Sequence, residues 1–326
     1  MVKKVVIVGA GPSGVLLAHY LLRRDDKYQI DIYERRNDPR IVEFSKSRTF
    51  PITLNERGMS ALRKIPGVEE AVKSISVEIT GSFTHQKNGK TRFRRRSQPL
   101  FALDRTNLVI ALLQTLIQKY DNSRLNIQFD CKCASVDLAA KKARFETKAA
   151  DFIVDYDLLI GADGARSAVR ETFLATEGFE CEQKYIHNDY KSIFLPASSH
   201  LKLGNVHAWS IEDGSAVLLL HKADGTMLGA IRFPHKKNKI AGLASKEEVV
   251  KFFHENFPEV GQLMPEEEAE AFFSRPVSSV LTVRCNRYHY GDSVLVIGDA
   301  AHAVSPSIGQ GCNSALEDVV WLAGSS

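Results

Sequence analysis

Apolar runs that end in glycine or an acid stand near both ends and in the middle of the chain. Residues 5–8 (VVIV), 157–163 (DLLIGAD) and 294–298 (VLVIG) are aliphatic without alternation, the pattern of parallel strands buried on both faces. An apolar-periodic segment, VLLAHYLLRR, follows the first run and reads as a helix. A loop bearing Pro and Gly follows the last run and leads to helical periodicity from about Gly311. Helices are also predicted over 55–65, 107–120 and 246–257. Residues 80–93 read as a strand pair turning at Asn88-Gly89, and 127–136 and 143–152 as two hairpin-like strands. From about 182 to 279 the pattern alternates, at 191–195, 207–211, 216–221 and 227–233, with turns at Asp213-Gly214 and Asp224-Gly225. That is the signature of an antiparallel sheet. The expected fold is therefore α/β (α+β, two-domain): a discontinuous Rossmann-like domain over 1–74, 98–181 and 280–326, with an inserted antiparallel-sheet domain over 75–97 and 182–279.

Composition narrows this picture only slightly. The 326 residues allow about two domains, and 44% hydrophobic with 25% charged residues is ordinary for a globular protein. A net charge of +4 is too small to argue for nucleic acid. The run Arg92-Phe93-Arg94-Arg95-Arg96 is either a solvated hairpin or a contact for an anionic ligand or membrane surface. Five cysteines, an odd number, with no secretory signal ahead of the first strand, argue against a disulfide framework and for a cytoplasmic protein. Cys131 and Cys133 share a strand face, and with no second ligand pair at zinc-like spacing they read as core, so no metal is expected. No apolar run is long enough to span a membrane.

The chemistry lies at the strand ends. Gly9-Ala10-Gly11-Pro12-Ser13-Gly14 is GxGxxG between a strand and a helix. The first glycine permits the turn, the second admits a pyrophosphate, and the third allows close helix–strand packing, while the helix N-terminus offers free N–H donors. The second strand, 29–33, ends in Glu34, twenty residues beyond Gly14, where a ribose-binding acid is expected. Gly298-Asp299, with its glycine loop, forms a second half-site of the same kind.

These motifs, together with Asp163-Gly164-Ala165-Arg166-Ser167 and Arg170, resemble the single-component FAD-dependent aromatic hydroxylases, the class of p-hydroxybenzoate hydroxylase, and within it the kynurenine 3-monooxygenases. The likeness runs through residues 48–62, 103–108, 189–191 and 253–265 and is densest over 273–318. It implies that Gly9, Gly11, Pro12, Ser13 and Gly14 hold the FAD pyrophosphate, that Glu34 and Arg35 lie at the adenosine ribose, and that Arg105 pairs with the pyrophosphate. It places Val136 at the cofactor and Asp163 and Arg166 in contact with FAD and NAD(P)H. Asp299 is implied to accept from ribityl hydroxyls, with Pro306, Gly309, Gly311, Cys312 and Asn313 presenting a helix N-terminus to the flavin ring. Arg48 falls where the family places an arginine beside flavin and substrate, the one implied catalytic residue. His302 and Cys312 read as packing residues rather than as an acid–base or redox group.

The implied activity is hydroxylation of a small aromatic substrate with NAD(P)H and O2, through a flavin C4a-hydroperoxide. NAD(P)H would be a transient co-substrate, since only one complete Rossmann half-site is present. Kynurenine hydroxylases hold the substrate carboxylate with an arginine on the first substrate-domain strand and a tyrosine just before the Leu-Asp-Arg segment. Residues 74–83 contain no arginine and Pro99-Leu100 stand near the tyrosine's place, which points to a different aromatic or alicyclic compound. Family members continue into a helical region that closes the pocket, whereas this sequence ends at Ser326, so uncoupled NAD(P)H oxidation is expected. Two alternatives stand beside this reading. One is an FAD-dependent epoxidase or reductase of an isoprenoid lipid, needing a more apolar sheet than residues 207–233 suggest. The other is a flavin-binding protein without turnover.

Overall fold

A computed structural model describes residues 2–24, 27–42, 50–236 and 238–324. Its first layer is a six-stranded sheet in the order His289–Tyr290, Val294–Val296, Leu158–Gly161, Lys3–Val8, Tyr28–Tyr33, Leu125–Gln128. All pairs but the first are parallel. The three unalternating aliphatic runs thus lie side by side, and Val5, Val6, Ile7, Leu159 and Ile160 are fully buried. Helices Pro12–Leu22, Arg105–Ile117 and Gly311–Gly324 cover one face through Leu16, Leu17, Leu112, Leu316 and Val319. The other face is closed by the antiparallel sheet of Lys132–Asp137, Lys142–Glu146 and Phe152–Asp155, and by helix Ala168–Phe173.

The second large sheet has eight strands, in the order Ser278–Cys285, Cys181–Leu195, Met227–Pro234, Ala216–His221, Asn205–Ser210, Val77–His85, Thr91–Asp104, Pro51–Leu54. It is not purely antiparallel as expected, because Asn205–Ser210 and Val77–His85 pair in parallel. These two strands are remote in sequence and meet without a hairpin, so nothing local dictates their direction. Strand Thr91–Asp104 runs unbroken through 97/98, where a domain boundary was expected, and Pro51–Leu54 joins its far edge. Residues 127–136, expected as one strand, span the end of Leu125–Gln128 and most of Lys132–Asp137, which lie in different sheets. Asp130 breaks the run by adopting φ of 57°, in the left-handed region.

Period-two alternation gives the eight-stranded sheet two distinct faces. Trp209, Val217, Leu219, Ile231 and Phe233 pack beneath helices Lys246–Asn256, Pro258–Leu263 and Glu266–Ser274, with Phe253, Phe257 and Phe272. A buried ion pair ties these helices down. Arg275 donates to Glu268 at 2.9 Å, and Glu268 accepts from the backbone of Phe194 at 3.0 Å. Val206, Ala208, Leu218, Leu220, Ala230 and Arg232 turn the other way, toward the first domain. Among the described residues, no helix is long and apolar enough to cross a membrane.

Candidate active site

A cleft of about 1630 Å³ runs from the carboxyl ends of the parallel strands to the open face of the eight-stranded sheet. Ligand pockets for single drug-sized molecules occupy roughly 300–1,000 Å³, so this cleft has room for a dinucleotide and a second small molecule. Its first wall is the turn after Lys3–Val8. Gly9 sits there at φ +105°, and a Cβ on it would lie 2.5 Å from the carbonyl oxygen of Ala162. The same close approach recurs at Gly14, where a Cβ would lie 2.2 Å from the Gly9 carbonyl oxygen, so this glycine sets helix packing and does not line the cleft. Gly11 has open space instead, with nothing nearer its Cβ direction than 3.9 Å. Gly11, Pro12 and Ser13 therefore carry the N-terminus of helix Pro12–Leu22 to the cleft, where its first N–H groups have no intrahelical acceptor.

Glu34, at the end of Tyr28–Tyr33, accepts from Ala10 N at 2.9 Å and from Arg36 N at 3.0 Å. Each carboxylate oxygen keeps a lone pair for a hydroxyl in the cleft. Arg35 lies exposed beside it on the cleft wall. Arg105 opens helix Arg105–Ile117 and faces the cleft, and no described residue is hydrogen-bonded or ion-paired to its guanidinium. Arg48 lies outside the described residues. Val136 does not line the cleft. It pairs with Ala143 in the three-stranded sheet and packs toward that sheet's core, and Cys131 and Cys133 form the wall there instead.

Asp163 follows Leu158–Gly161 and caps helix Ala168–Phe173, accepting from Ala168 N at 2.7 Å and Val169 N at 3.3 Å through Oδ2. Its buried Oδ1 has no hydrogen-bond partner among the described residues, and burial raises its pKa. Beside it Arg170, 1% exposed, donates to the carbonyls of Ala300 at 2.9 Å and Ala165 at 2.7 Å. That arginine is a clamp between the two carboxyl-end loops, while Arg166 is exposed on the cleft wall.

The C-terminal half-site meets the first at Gly298, φ +59°, where a Cβ would lie 3.1 Å from Ser13 Oγ. Asp299 opens onto the cleft, and the enclosing walls raise its pKa against the pull of Arg105. A 3₁₀ turn, Pro306–Ile308, and Gly309 at φ +65° lead to Gly311 and the start of the last helix. Pro306, Gly309, Gly311, Cys312 and Asn313 all line the cleft. Burial pushes the Cys312 thiol up to about 12, so it remains protonated at neutral pH.

Asn313 has a role that its sequence position conceals. Fully buried, it donates to Thr53 O at 2.9 Å and Gly309 O at 3.0 Å, and accepts from Asn55 N at 2.9 Å. Its side chain fixes the loop to strand Pro51–Leu54 and has no polar atom left without a partner. Asn55, which caps helix Glu56–Arg63, and Gly58, where a Cβ would lie 2.5 Å from Asn313 Oδ1, complete this joint. Sequence reasoning assigned neither of them. A helix cap followed three residues later by glycine was the available signal. His302 is likewise held from behind, bonded at 2.7 Å to Asp318, which also accepts from Gly298 N at 2.7 Å. The bond to Asp318 raises the pKa of His302.

The site fits FAD by its chemistry: a glycine turn open at Gly11, a carboxylate at ribose distance in sequence, an unpaired arginine, an orphaned buried carboxylate oxygen and two helix N-termini. The family described as FAD binding domain matches residues 3–325. A kynurenine 3-monooxygenase of Drosophila willistoni is 31% identical over 98% of this chain and 71% of its own length. One from Legionella pneumophila is 33% identical over 97% and 70%. The chain belongs to the FAD-dependent aromatic hydroxylases. Among solved structures, 2-methyl-3-hydroxypyridine-5-carboxylic acid oxygenase superposes with a TM-score of 0.80 at 18% identity, covering 99% of this chain and 82% of its own. A Klebsiella pneumoniae HpxO variant complexed with FAD gives 0.76 at 18% identity, covering 99% and 80%. As a hydroxylase of this family the protein is an FAD-dependent monooxygenase with NAD(P)H as co-substrate.

Proposed function

We propose that the protein hydroxylates a small aromatic compound carrying an anionic group, with FAD held at the parallel-strand end of the cleft and the substrate on the open sheet face. The supporting observation is the lining of that face. Val206, Ala208, Leu218, Leu220 and Ala230 make an apolar floor, with Arg94, Arg95, Arg96 and Arg232 at its margin. Arg94, Arg95 and Arg96 are exposed, and their guanidinium groups make no hydrogen bond or ion pair with any described residue. His207 and His221 face away from the floor into the packing around Trp209.

In this reading Gly9, Gly11, Pro12, Ser13, Glu34 and Arg105 hold the nucleotide portion of FAD, Asp299 takes the ribityl chain, and the N-terminus of Gly311–Gly324 faces the ring. Bound there, FAD supplies hydride acceptance from NAD(P)H and the activation of O2. The chain's own residues supply orientation and dryness. The floor binds the aromatic ring by area, the arginines fix its anionic end, and Asn313 and Arg170 hold the two loops that bracket the reacting space. The positive end of the last helix, together with Arg105, favours negative charge on a bound anionic ring system. A neutral isoprenoid would suit the floor but leave the arginines facing apolar substance, so the anionic aromatic is the better fit. A cytoplasmic setting belongs to the same reading and is supported by five free thiols.

The test is substrate-dependent NAD(P)H oxidation across aromatic acids, their neutral amides and isoprenoids. Aromatic acids should stimulate turnover, and Arg94→Ala or Arg232→Ala should raise KM for the acids about tenfold, as expected for one lost charge-assisted contact. An equal effect on acids and amides would remove the anionic group from the proposal. Stimulation by isoprenoids alone would replace the substrate class.

A further inference from the structure

Cys181 and Cys285 are the first and last residues of two adjacent strands, where the chain re-enters the eight-stranded sheet after Thr91–Asp104 and where it finally leaves it. They are directly opposed in the antiparallel register of Cys181–Leu195 and Ser278–Cys285, and their sulfurs lie 3.3 Å apart. Directly opposed residues of antiparallel strands have Cα atoms about 4.5–5.5 Å apart. That lies inside the roughly 4.4–6.8 Å a disulfide spans, so a bond can form with little backbone movement. Both are free thiols. We propose that this pair is a peroxide-responsive modification site, in which Cys181 and Cys285 are oxidised reversibly to a disulfide.

The two sulfurs are not equivalent, and the difference sets the order of events. Cys181 is half-buried, whereas Cys285 is buried with Ala303 and Val283. Cys285 donates its S–H to the Cys181 sulfur. Burial holds the Cys285 thiol up, near 12, so it is the protonated partner. Cys181, the more exposed sulfur, therefore meets hydrogen peroxide first and attacks it as the thiolate. An S–O bond forms, the O–O bond breaks, and the departing hydroxide takes a proton to become water. Cys285 then attacks the sulfenic sulfur of Cys181, giving up its proton as the S–O bond breaks and a second water leaves. Two thiols lose two electrons in total and one peroxide becomes two waters. Hydrogen peroxide is the oxidant expected wherever O2 is reduced in the cleft without hydroxylation.

The bond would close a loop around the sheet segment between the two residues, 104 positions apart. It would also sit in the same packing cluster as Ala165 of the Asp163 loop and Ala303 at the end of the Asp299 turn. Oxidation would thus lock two neighbouring strands together beside the two loops that border the cofactor region.

The experiment treats the folded, FAD-loaded protein with hydrogen peroxide, alkylates remaining thiols and maps peptides by mass spectrometry. The expected result is loss of two of the five alkylatable thiols, a linked peptide pair containing Cys181 and Cys285 lighter by two hydrogens, and full recovery with dithiothreitol. In the Cys285→Ser variant, a dione probe should trap sulfenic acid at Cys181, and in Cys181→Ser no linked peptide should form. The proposal is overturned if both cysteines remain alkylatable after peroxide. It is equally overturned if Cys181 goes to sulfinic or sulfonic acid without linkage, or if another cysteine pair links instead.

Discussion

Asn313 exemplifies how single side chains govern this site without touching its chemistry. Three hydrogen bonds from one buried amide hold Thr53, Gly309 and Asn55 together. Asn313→Ala leaves two carbonyls and one N–H short of a partner in a dry setting, at about 1–3 kcal/mol for each that cannot reach water. A stability loss of about 2–4 kcal/mol is expected in denaturant titration, with weaker FAD retention, whereas Cys312→Ser should move neither by more than about 1 kcal/mol. His302 makes a pH-dependent contribution. Its folded pKa is raised by Asp318, so the stability it adds is complete below the ordinary histidine value of 6.5 and is lost as pH rises through the folded value. Melting curves from pH 5.5 to 9 should therefore show a decline that His302→Gln abolishes. A decline of the same size in the variant would assign it to other groups. The asparagine and the histidine were both visible in the sequence as motif positions. Their partners were not, because Thr53, Asn55 and Asp318 approach only through the packing of helices and a strand distant in sequence.

Elements were legible in proportion to how locally their pattern was determined. The unalternating runs at 5–8, 157–163 and 294–298 predict buried parallel strands, and they lie together in one sheet because each is apolar on both faces. Where the outcome depended on non-local pairing, the reading fell short. The parallel contact between Asn205–Ser210 and Val77–His85 has no local signal, and Asp130 split a run that hydrophobicity alone would join. The glycine turn is the element most tightly constrained. Gly9→Ala would force a side chain at φ +105° into the Ala162 carbonyl, so strand and loop must part. The expected outcome is loss of FAD binding and a melting temperature lowered by several degrees. Glu34→Ala leaves the turn's geometry possible but removes the acceptor for Ala10 N and Arg36 N. It should weaken FAD binding by roughly ten- to hundredfold, the effect of one or two charge-assisted hydrogen bonds. An unchanged FAD affinity in Glu34→Ala would place the ribose elsewhere.

At the scale of the whole molecule, two sheets of different construction face each other across one cleft. The parallel sheet contributes loops with free N–H groups and acids. The eight-stranded sheet contributes an apolar floor bordered by arginines. The sequence signalled the first half strongly, through glycine and acid spacing. It hid the second, because the floor is every other residue of strands whose alternate positions are histidine, tryptophan and core. Hydroxylation requires both halves to act together on one aromatic substrate. The most direct measurement is to incubate the FAD-loaded protein with NAD(P)H and an aromatic acid that stimulates turnover under 18O2, and to weigh the product. One 18O atom in a hydroxylated ring is the predicted result. NAD(P)H consumption that yields only peroxide, or a hydroxyl group whose oxygen comes from water, would contradict it.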